Sequence, residues 1–275
     1  MSTLAGVYAT TKKDGSPSFR ASLTFQSKHI SLGSYSDEKK AALAYQTGRH
    51  ILENPAIRIA DYHLCTELSH DKFICLLNAR DNGIYIPTPI YLYKQYFEYY
   101  LSSSEILRFD RDDLFFYASH KIQKKGGYLF VSDYGSQYSI LSRYGIKPFA
   151  VYGRDYCMVN GDPHDYRYSN IKIINSYFGV QQEVLPNGKT VYRTKIHING
   201  DFLVGVYEDE ITAAIAYNKA ADTLQKNGFH KAFMKNYIVS LNKHQYESVY
   251  QSVAISDAIT NFVPDPQVHH SFPPY

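Results

Sequence analysis

The sequence predicts an α+β protein: two small domains, each a three-stranded sheet backed by one helix, flank a middle domain of another kind. Three observations predict it. Residues 33–48, "GSYSDEKKAALAYQTG", return as "GVYEDEITAAIAYNKA" at 205–220, with Gly, Tyr, Asp, Glu, three Ala and a second Tyr kept, eight of sixteen positions. Upstream, "GVY" at 6–8 matches "GVQ" at 179–181, and "SFRASLTF" at 18–25 parallels "VYRTKIHI" at 191–198, always 172 or 173 residues apart. Each copy also has one plan: three short period-two segments, then an acidic helix start with an Ala-rich face.

The first domain covers residues 1–55. "DGSP" and "QSKH" break its strands, and Ser36-Asp37-Glu38 suits the positive end of a helix. Ala41, Ala42, Ala44 and Tyr45 then allow helix and sheet to approach closely. Residues 56–100 form a connecting segment, where "FICLLNA" reads as a buried strand and "YLYKQYFEYYL" as a helix or strand with an aromatic face. The middle domain covers 101–175 and the second copy 176–242. In that copy "PNGK" and "NGD" break the strands, Glu208-Asp209-Glu210 starts the helix, and Ala213, Ala214, Ala216 and Tyr217 supply the face. Within 243–275, "NKHQYESVYQSVAISDAI", which begins just before it, reads as helical and "PDPQVHHSFPPY" as a loose tail.

Composition excludes several classes. The chain has 275 residues, 44% hydrophobic and 20% charged, ordinary for a folded protein. No apolar run approaches the roughly 18 residues that span a membrane. The start, "MSTLAGVYATTKKDG", shows no signal core, and the expectation is a cytoplasmic protein. Cys65, Cys75 and Cys157 are an odd set without a CxxC pair, against a disulfide framework or a zinc ribbon. A net charge of +3 is compatible with nucleic-acid binding without indicating it.

Strand alternation assigns the faces. In the first copy Phe19, Ala21, Leu23, Ile30 and Leu32 point to the helix, and Tyr8, Thr10, Arg20, Ser22, Thr24, His29 and Ser31 point outward. In the second, Tyr192, Thr194, Ile196, Ile198, Phe202 and Val204 point in. Gln181, Glu183, Arg193, Lys195, His197, Asp201 and Leu203 point out. The row Arg193, Lys195 and His197 puts long donors at alternate positions of one strand, as a phosphate and base reader needs. The outward set of the first copy is nearly neutral and is expected to bind more weakly.

The repeat resembles the ethylene-response-factor (Apetala) type DNA-binding domain, which also occurs beside bacterial and phage HNH nucleases and integrases. The resemblance is carried by Gly6-Val7, Phe19-Arg20-Ala21, Leu32-Gly33 and Ala41-Ala42 to Tyr45, and by Gly179-Val180, Tyr192-Arg193, Val204-Gly205 and Ala213-Ala214 to Tyr217. It implies that the sheet lies in the major groove of duplex DNA with the helix behind it.

The middle stretch "YCMVNGDPHDYRYSNIKI", residues 156–173, resembles the back half of an HNH nuclease motif through Asn160, Gly161, Asp162, Pro163, Asp165, Arg167, Ser169 and Asn170. A weaker pattern upstream supplies a short helix, a strand pair with a "GGY" turn, and a strand carrying Leu141-Ser142-Arg143. The resemblance implies a ββα fold around one divalent metal. The chemistry of that family needs a His base and a metal-binding carboxylate. Met158 stands at the base, Cys157 at the metal-binding Asp, Tyr166 at the middle Asn and Ser142 at the upstream His; only Asn170, a late metal ligand, is kept. Met accepts no proton, and one carboxamide anchors Mg²⁺ weakly. The expectation is a retained fold that does not cut, with no cofactor and no metal. Asp155, Asp162, His164 and Asp165 read as turn and cap formers rather than a displaced metal site. His63, Cys65, His70 and Cys75, at non-standard zinc spacing, read as surface histidines and buried cysteines.

The function expected is that of a sequence-specific double-stranded-DNA-binding protein, a transcriptional or mobile-element regulator of bacterial or phage origin associated with the nucleoid. One alternative is an active HNH-type endonuclease with a changed metal site, which needs a base and two ligands converging. Another is an interaction protein without DNA binding, marked by acidic or apolar cover over the second-copy sheet. Oligomeric state is open.

Overall fold

The computed structural model describes residues 4–264; most of the expected C-terminal tail lies outside the described residues. The chain forms two compact units: residues up to 140 with 158–171, and 141–157 with those from 172 on.

The first unit opens with β1 (Val7–Thr11), β2 (Pro17–Phe25) and β3 (Lys28–Tyr35), an antiparallel meander, followed by α1 (Glu38–Glu53). Asp37 caps α1, its carboxylate accepting the Lys40 N–H at 3.0 Å. The buried stripe of α1 is Ala41, Ala44, Gly48 and Ile51. A methyl at Gly48 would lie 3.0 Å from both Leu23 and Leu32, so small residues set how closely helix and sheet pack.

The connecting segment is part of the same core. Ile57, Cys65, Leu68, Phe73, Ile74, Leu76 and Leu77 are buried in one cluster with Leu23, Ile30, Leu32 and Ala44. "FICLLNA", expected as a strand, lies in α2 (His70–Asn82). Its local signals favour a helix: Ser69 caps the start, and Gly83 ends it at φ 69°, donating to Ala79 O at 3.1 Å. Because α2 is buried nearly all round, its apolar run shows no helical stripe. Arg80 joins it to the end of α1, donating to the carbonyls of Ile51, Asn54 and Ile57 at 3.1, 2.7 and 2.8 Å.

The sheet β4 (Ile90–Leu92), β5 (Tyr96–Tyr100) and β6 (Ile106–Asp110) follows, then the short α3 (Leu114–Ser119). "YLYKQYFEYYL" is therefore strand. Phe97, Phe109 and Tyr117 cluster there, fully buried. A second meander, β7 (Ile122–Lys125), β8 (Tyr128–Asp133) and β9 (Ser136–Ser139), turns at Gly126-Gly127. Leu141-Ser142-Arg143, expected on a strand, lies in a 3-10 helix, Ile140–Tyr144. Residues 156–173 supply β10 (Tyr156–Met158) and β11 (Ile171–Ile173), which pair. From β11 the chain reaches β12 without an intervening helix.

The second unit repeats the opening plan: β12 (Val180–Val184), β13 (Thr190–His197) and β14 (Asp201–Tyr207), then α4 (Glu210–Lys226) capped by Asp209, which accepts the Thr212 N–H at 2.7 Å. Ala213, Ala216, Ala220 and Leu224 of α4 pack with Ile196, Ile198 and Val204. The C-terminal helix is interrupted: α5 (Lys243–Ser252) and α6 (Asp257–Thr260) are separated where Ser256 donates through N and Oγ to Val204 O and Leu203 O, at 2.8 and 2.6 Å. Among the described residues no helix is long and apolar enough to cross a membrane.

Candidate nucleic-acid interface

The two copies share fine detail. Each middle strand carries a register shift, after Ala21 in β2 and after Thr194 in β13. Just beyond it the Ser22 N–H donates to Gly6 O at 3.0 Å, and the Lys195 N–H to Gly179 O at 2.8 Å. Gly6 and Gly179 both sit at φ +70°, each over the ring of the repeat's tyrosine, Tyr45 or Tyr217, with no room for a side chain. One backbone thus presents two sets of side chains.

On the first sheet the outward rows are Tyr8–Arg20–Ser34, Ser22–Ser31 and Thr24–His29. Tyr8 is 58% exposed, and Arg20, Thr24, His29, Ser31 and Ser34 are exposed. Two expected readers differ. Ser22 lies at the bulge and is only 6% exposed, so its hydroxyl is withdrawn from a groove. Thr10 is half-buried and spends its hydroxyl on Ser18 O at 3.2 Å. Strand alternation overlooked Lys12 and Lys13, exposed in the turn between β1 and β2, and Lys28, exposed at the start of β3 beside the next turn. From β1 to β3 the charges are Lys12, Lys13, Arg20 and Lys28 against Asp14 alone, 4 − 1 = +3. Asp14 is turned into its own hairpin, accepting from Ser16 N and Oγ at 2.9 and 2.7 Å.

On the second sheet the matching rows are Gln181–Arg193–Val206, Lys195–Leu203 and His197–Asp201. Gln181, Lys195 and His197 are exposed as expected, but the donors are partly engaged. Arg193 Nε donates to Glu183 Oε1 at 2.7 Å, across the strand diagonal. That bond holds the Glu183 carboxyl below its ordinary range and raises Arg193. His197 Nδ1 lies 3.0 Å from Asp201 Oδ1. Leu203 and Val206 are exposed beside them. From β12 to β14 the charges are Lys189, Arg193 and Lys195 against Glu183 and Asp201, 3 − 2 = +1. By charge the first sheet is the more cationic of the two, with no acid on its strands.

The loop of residues 158–171 is a hydrogen-bonded knot around Asp165. That carboxylate is fully buried and accepts Arg167 Nε and Nη2 at 2.8 and 2.6 Å and Asn160 Nδ2 at 2.9 Å. Burial pushes its pKa up; the Arg167 bonds, with Asn160, outweigh this and hold it below the usual carboxylate range. Asn170, expected as a late metal ligand, is also spent: Oδ1 accepts the Asn160 N–H and Nδ2 donates to Asp165 O, both at 2.8 Å. Tyr166 is buried, stacked on Phe109 with ring centroids 5.5 Å apart, and backbone bonds between Arg108 and both His164 and Tyr166 fix the loop on β6. Met158 is buried, Cys157 half-buried and Ser142 exposed. Gly161, at φ 78°, and the Asx bonds Asp162 N to Asn160 Oδ1 and His164 N to Asp162 Oδ1 (2.9 Å each) shape the turn.

Among the described residues no three His, Cys, Asp or Glu side chains gather to hold a metal ion. Asp155 accepts from Lys147 and Arg154 at 3.0 and 2.7 Å. Cys65 and Cys75 are buried, Cys75 donating to Thr88 O at 3.3 Å; His63 rests on Ala60 O, and His70 stacks edge-on against Tyr62. No family model, curated protein or solved structure matches the chain.

Proposed function

We propose that the chain is a sequence-specific duplex-DNA-binding protein that does not cut, and that its first repeat is the principal reader. The observation carrying this reading is the first sheet: Arg20 at its centre, Tyr8, Thr24, His29 and Ser31 around it, lysines at both turns, and no acid on its strands. Arg can bond guanine through two parallel hydrogen bonds, hydroxyls adapt to either base, and flanking lysines contact phosphate. Absence of cutting is supported by Met158 at the base position and by Asn170, whose amide is taken up by the loop. Binding without cutting suits a regulator of transcription or of a mobile element, acting on DNA in the cytoplasm of a bacterial or phage-infected cell.

Selection from a random duplex library tests the reading. An enriched site is expected, bound more weakly as salt rises, with the duplex intact in Mg²⁺, Mn²⁺, Ni²⁺ or Zn²⁺. No enriched sequence contradicts the DNA reading; cleavage that co-purifies with the protein and is lost in Asn170→Ala contradicts the non-cutting part. A second reading concerns the second sheet alone. Exposed Leu203 and Val206 beside the Glu183–Arg193 pair suit contact with a protein better than base reading. Leu203→Glu tests it: unchanged duplex affinity favours a protein contact, whereas weakened affinity favours a duplex against this sheet, because Leu203 lies opposite Lys195.

A further inference from the structure

A cavity of about 230 Å³ opens beside the second repeat, wholly within the second unit. Its walls come from two stretches far apart in sequence: Lys147, Arg154 and Asp155 from 141–157, and Arg193, Lys195, His197 and Asp201 from the repeat. Four permanent cations line it against two carboxylates. The buried acid is already answered. Asp155 is buried and takes Lys147 Nζ at 3.0 Å on one oxygen, and Arg154 Nη2 at 2.7 Å and the Val151 N–H at 2.8 Å on the other. Lys147, itself nine-tenths buried, also donates to Tyr177 O at 2.7 Å, so this pair is a fixed part of the wall. Asp201 lies against His197, and Arg193 is held by Glu183 from outside the cavity. The charge left for a ligand is on Arg154, half-exposed with only Nε and Nη2 spent on Asp155, and on exposed Lys195. Gly179 forms another part of the wall, and at φ +70° against Tyr217 it must stay without a side chain, leaving bare backbone there. In the first copy the position of Lys195 is the buried Ser22, so that copy offers no such cation.

A small, polar, cationic cavity with planar guanidinium donors matches a tetrahedral oxyanion. We propose that this cleft binds a phosphate group, and that in duplex DNA this is a backbone phosphate, so that the second copy anchors a duplex that the first copy reads. The duplex source rests on the DNA-binding reading; phosphate binding does not.

The full chain and its Arg154→Gln and Lys195→Gln variants separate the possibilities. Lys195 is exposed, so Lys195→Gln should melt as the wild type does; Arg154→Gln also takes two bonds from buried Asp155, so its phosphate response is read below its own melting transition, with Lys195→Gln as the variant that leaves the wall intact. Inorganic phosphate should shift the backbone amide signals of Gly179 and Lys195, and each variant should weaken that binding about tenfold, as loss of a charge-assisted bond implies. On duplex DNA each variant should make the salt slope shallower by roughly 0.9, equally for all sequences. A phosphate response lost in the variants, with duplex binding unchanged, assigns the site to a free phosphate or nucleotide and overturns the anchoring role. A slope change without a phosphate response assigns it to the backbone diester alone. Neither a response nor a slope change overturns the site. If the wild type binds no duplex at all, the DNA reading fails while the phosphate titration still decides the cleft.

Discussion

The first and second repeats keep one backbone and differ in what that backbone presents. Both have the bulge after the inward residue of the middle strand, the glycine over a tyrosine ring, and the aspartate cap on an Ala-faced helix. On the outward face Arg20 has Tyr8 and Ser34 as cross-strand neighbours, whereas Arg193 has Gln181 and Val206 and is tied to Glu183. Residues that hold helix to sheet have few substitutes, because a glycine at φ +70° over an aromatic ring tolerates no side chain. Outward residues carry no such packing constraint. The proposed division of base reading from backbone anchoring therefore needs no change in the scaffold.

The largest expected effects strike what the copies share. Gly6→Ala and Gly179→Ala each force a Cβ onto a tyrosine ring in left-handed backbone, and each should lower stability by about 1–3 kcal/mol. Chemical denaturation of the two variants measures this. A loss in one copy only would show that the two turns are not equivalent.

Next come the turn lysines of the first copy. Replacing Lys12, Lys13 and Lys28 together by Gln should make the log–log salt slope of duplex binding shallower by roughly 2.7, if each meets a phosphate. Salt titration by fluorescence anisotropy reads it, and an unchanged slope would remove these turns from the interface.

The smallest effect is a gain. Glu183→Gln releases Arg193, and because the pair is exposed the improvement in duplex affinity should be only about two- to fivefold. Since Arg193 keeps the Glu183 carboxyl below its ordinary range, mild acidification to about pH 5 should not reproduce the gain. A loss of affinity on Glu183→Gln would mean that the ion pair is itself part of the bound surface.

Much of the fold was legible because its signals are local. Period-two alternation placed the strand faces, and Asp37 and Asp209 marked helices that begin where expected. "FICLLNA" failed because a run buried on all sides looks alike in strand and helix; Ser69 before it and Asn82-Gly83 after it were the arbiters. The break between α5 and α6 was hidden, since it depends on Ser256 meeting β14, about fifty residues earlier. Charge on the faces was the hardest to read. Alternation speaks for strand interiors and is silent on turns and strand ends, so Lys12 and Lys13 in a turn and Lys28 at the start of β3 were passed over. The Glu183–Arg193 contact follows from the register of β12 on β13, and Arg154 reaches the second repeat only through the fold.

The central claim, that the first copy reads sequence, is tested most directly by Arg20→Ala beside Arg193→Ala on the selected duplex at fixed salt. Loss of a bidentate contact to guanine costs about 1–3 kcal/mol, so Arg20→Ala should weaken the selected site about ten- to a hundredfold while nonspecific duplex changes little. Arg193→Ala, removing a side chain already held by Glu183, should change the selected site less than about threefold. The opposite order, or equal small losses with both variants folded, would contradict the assignment of reading to the first repeat.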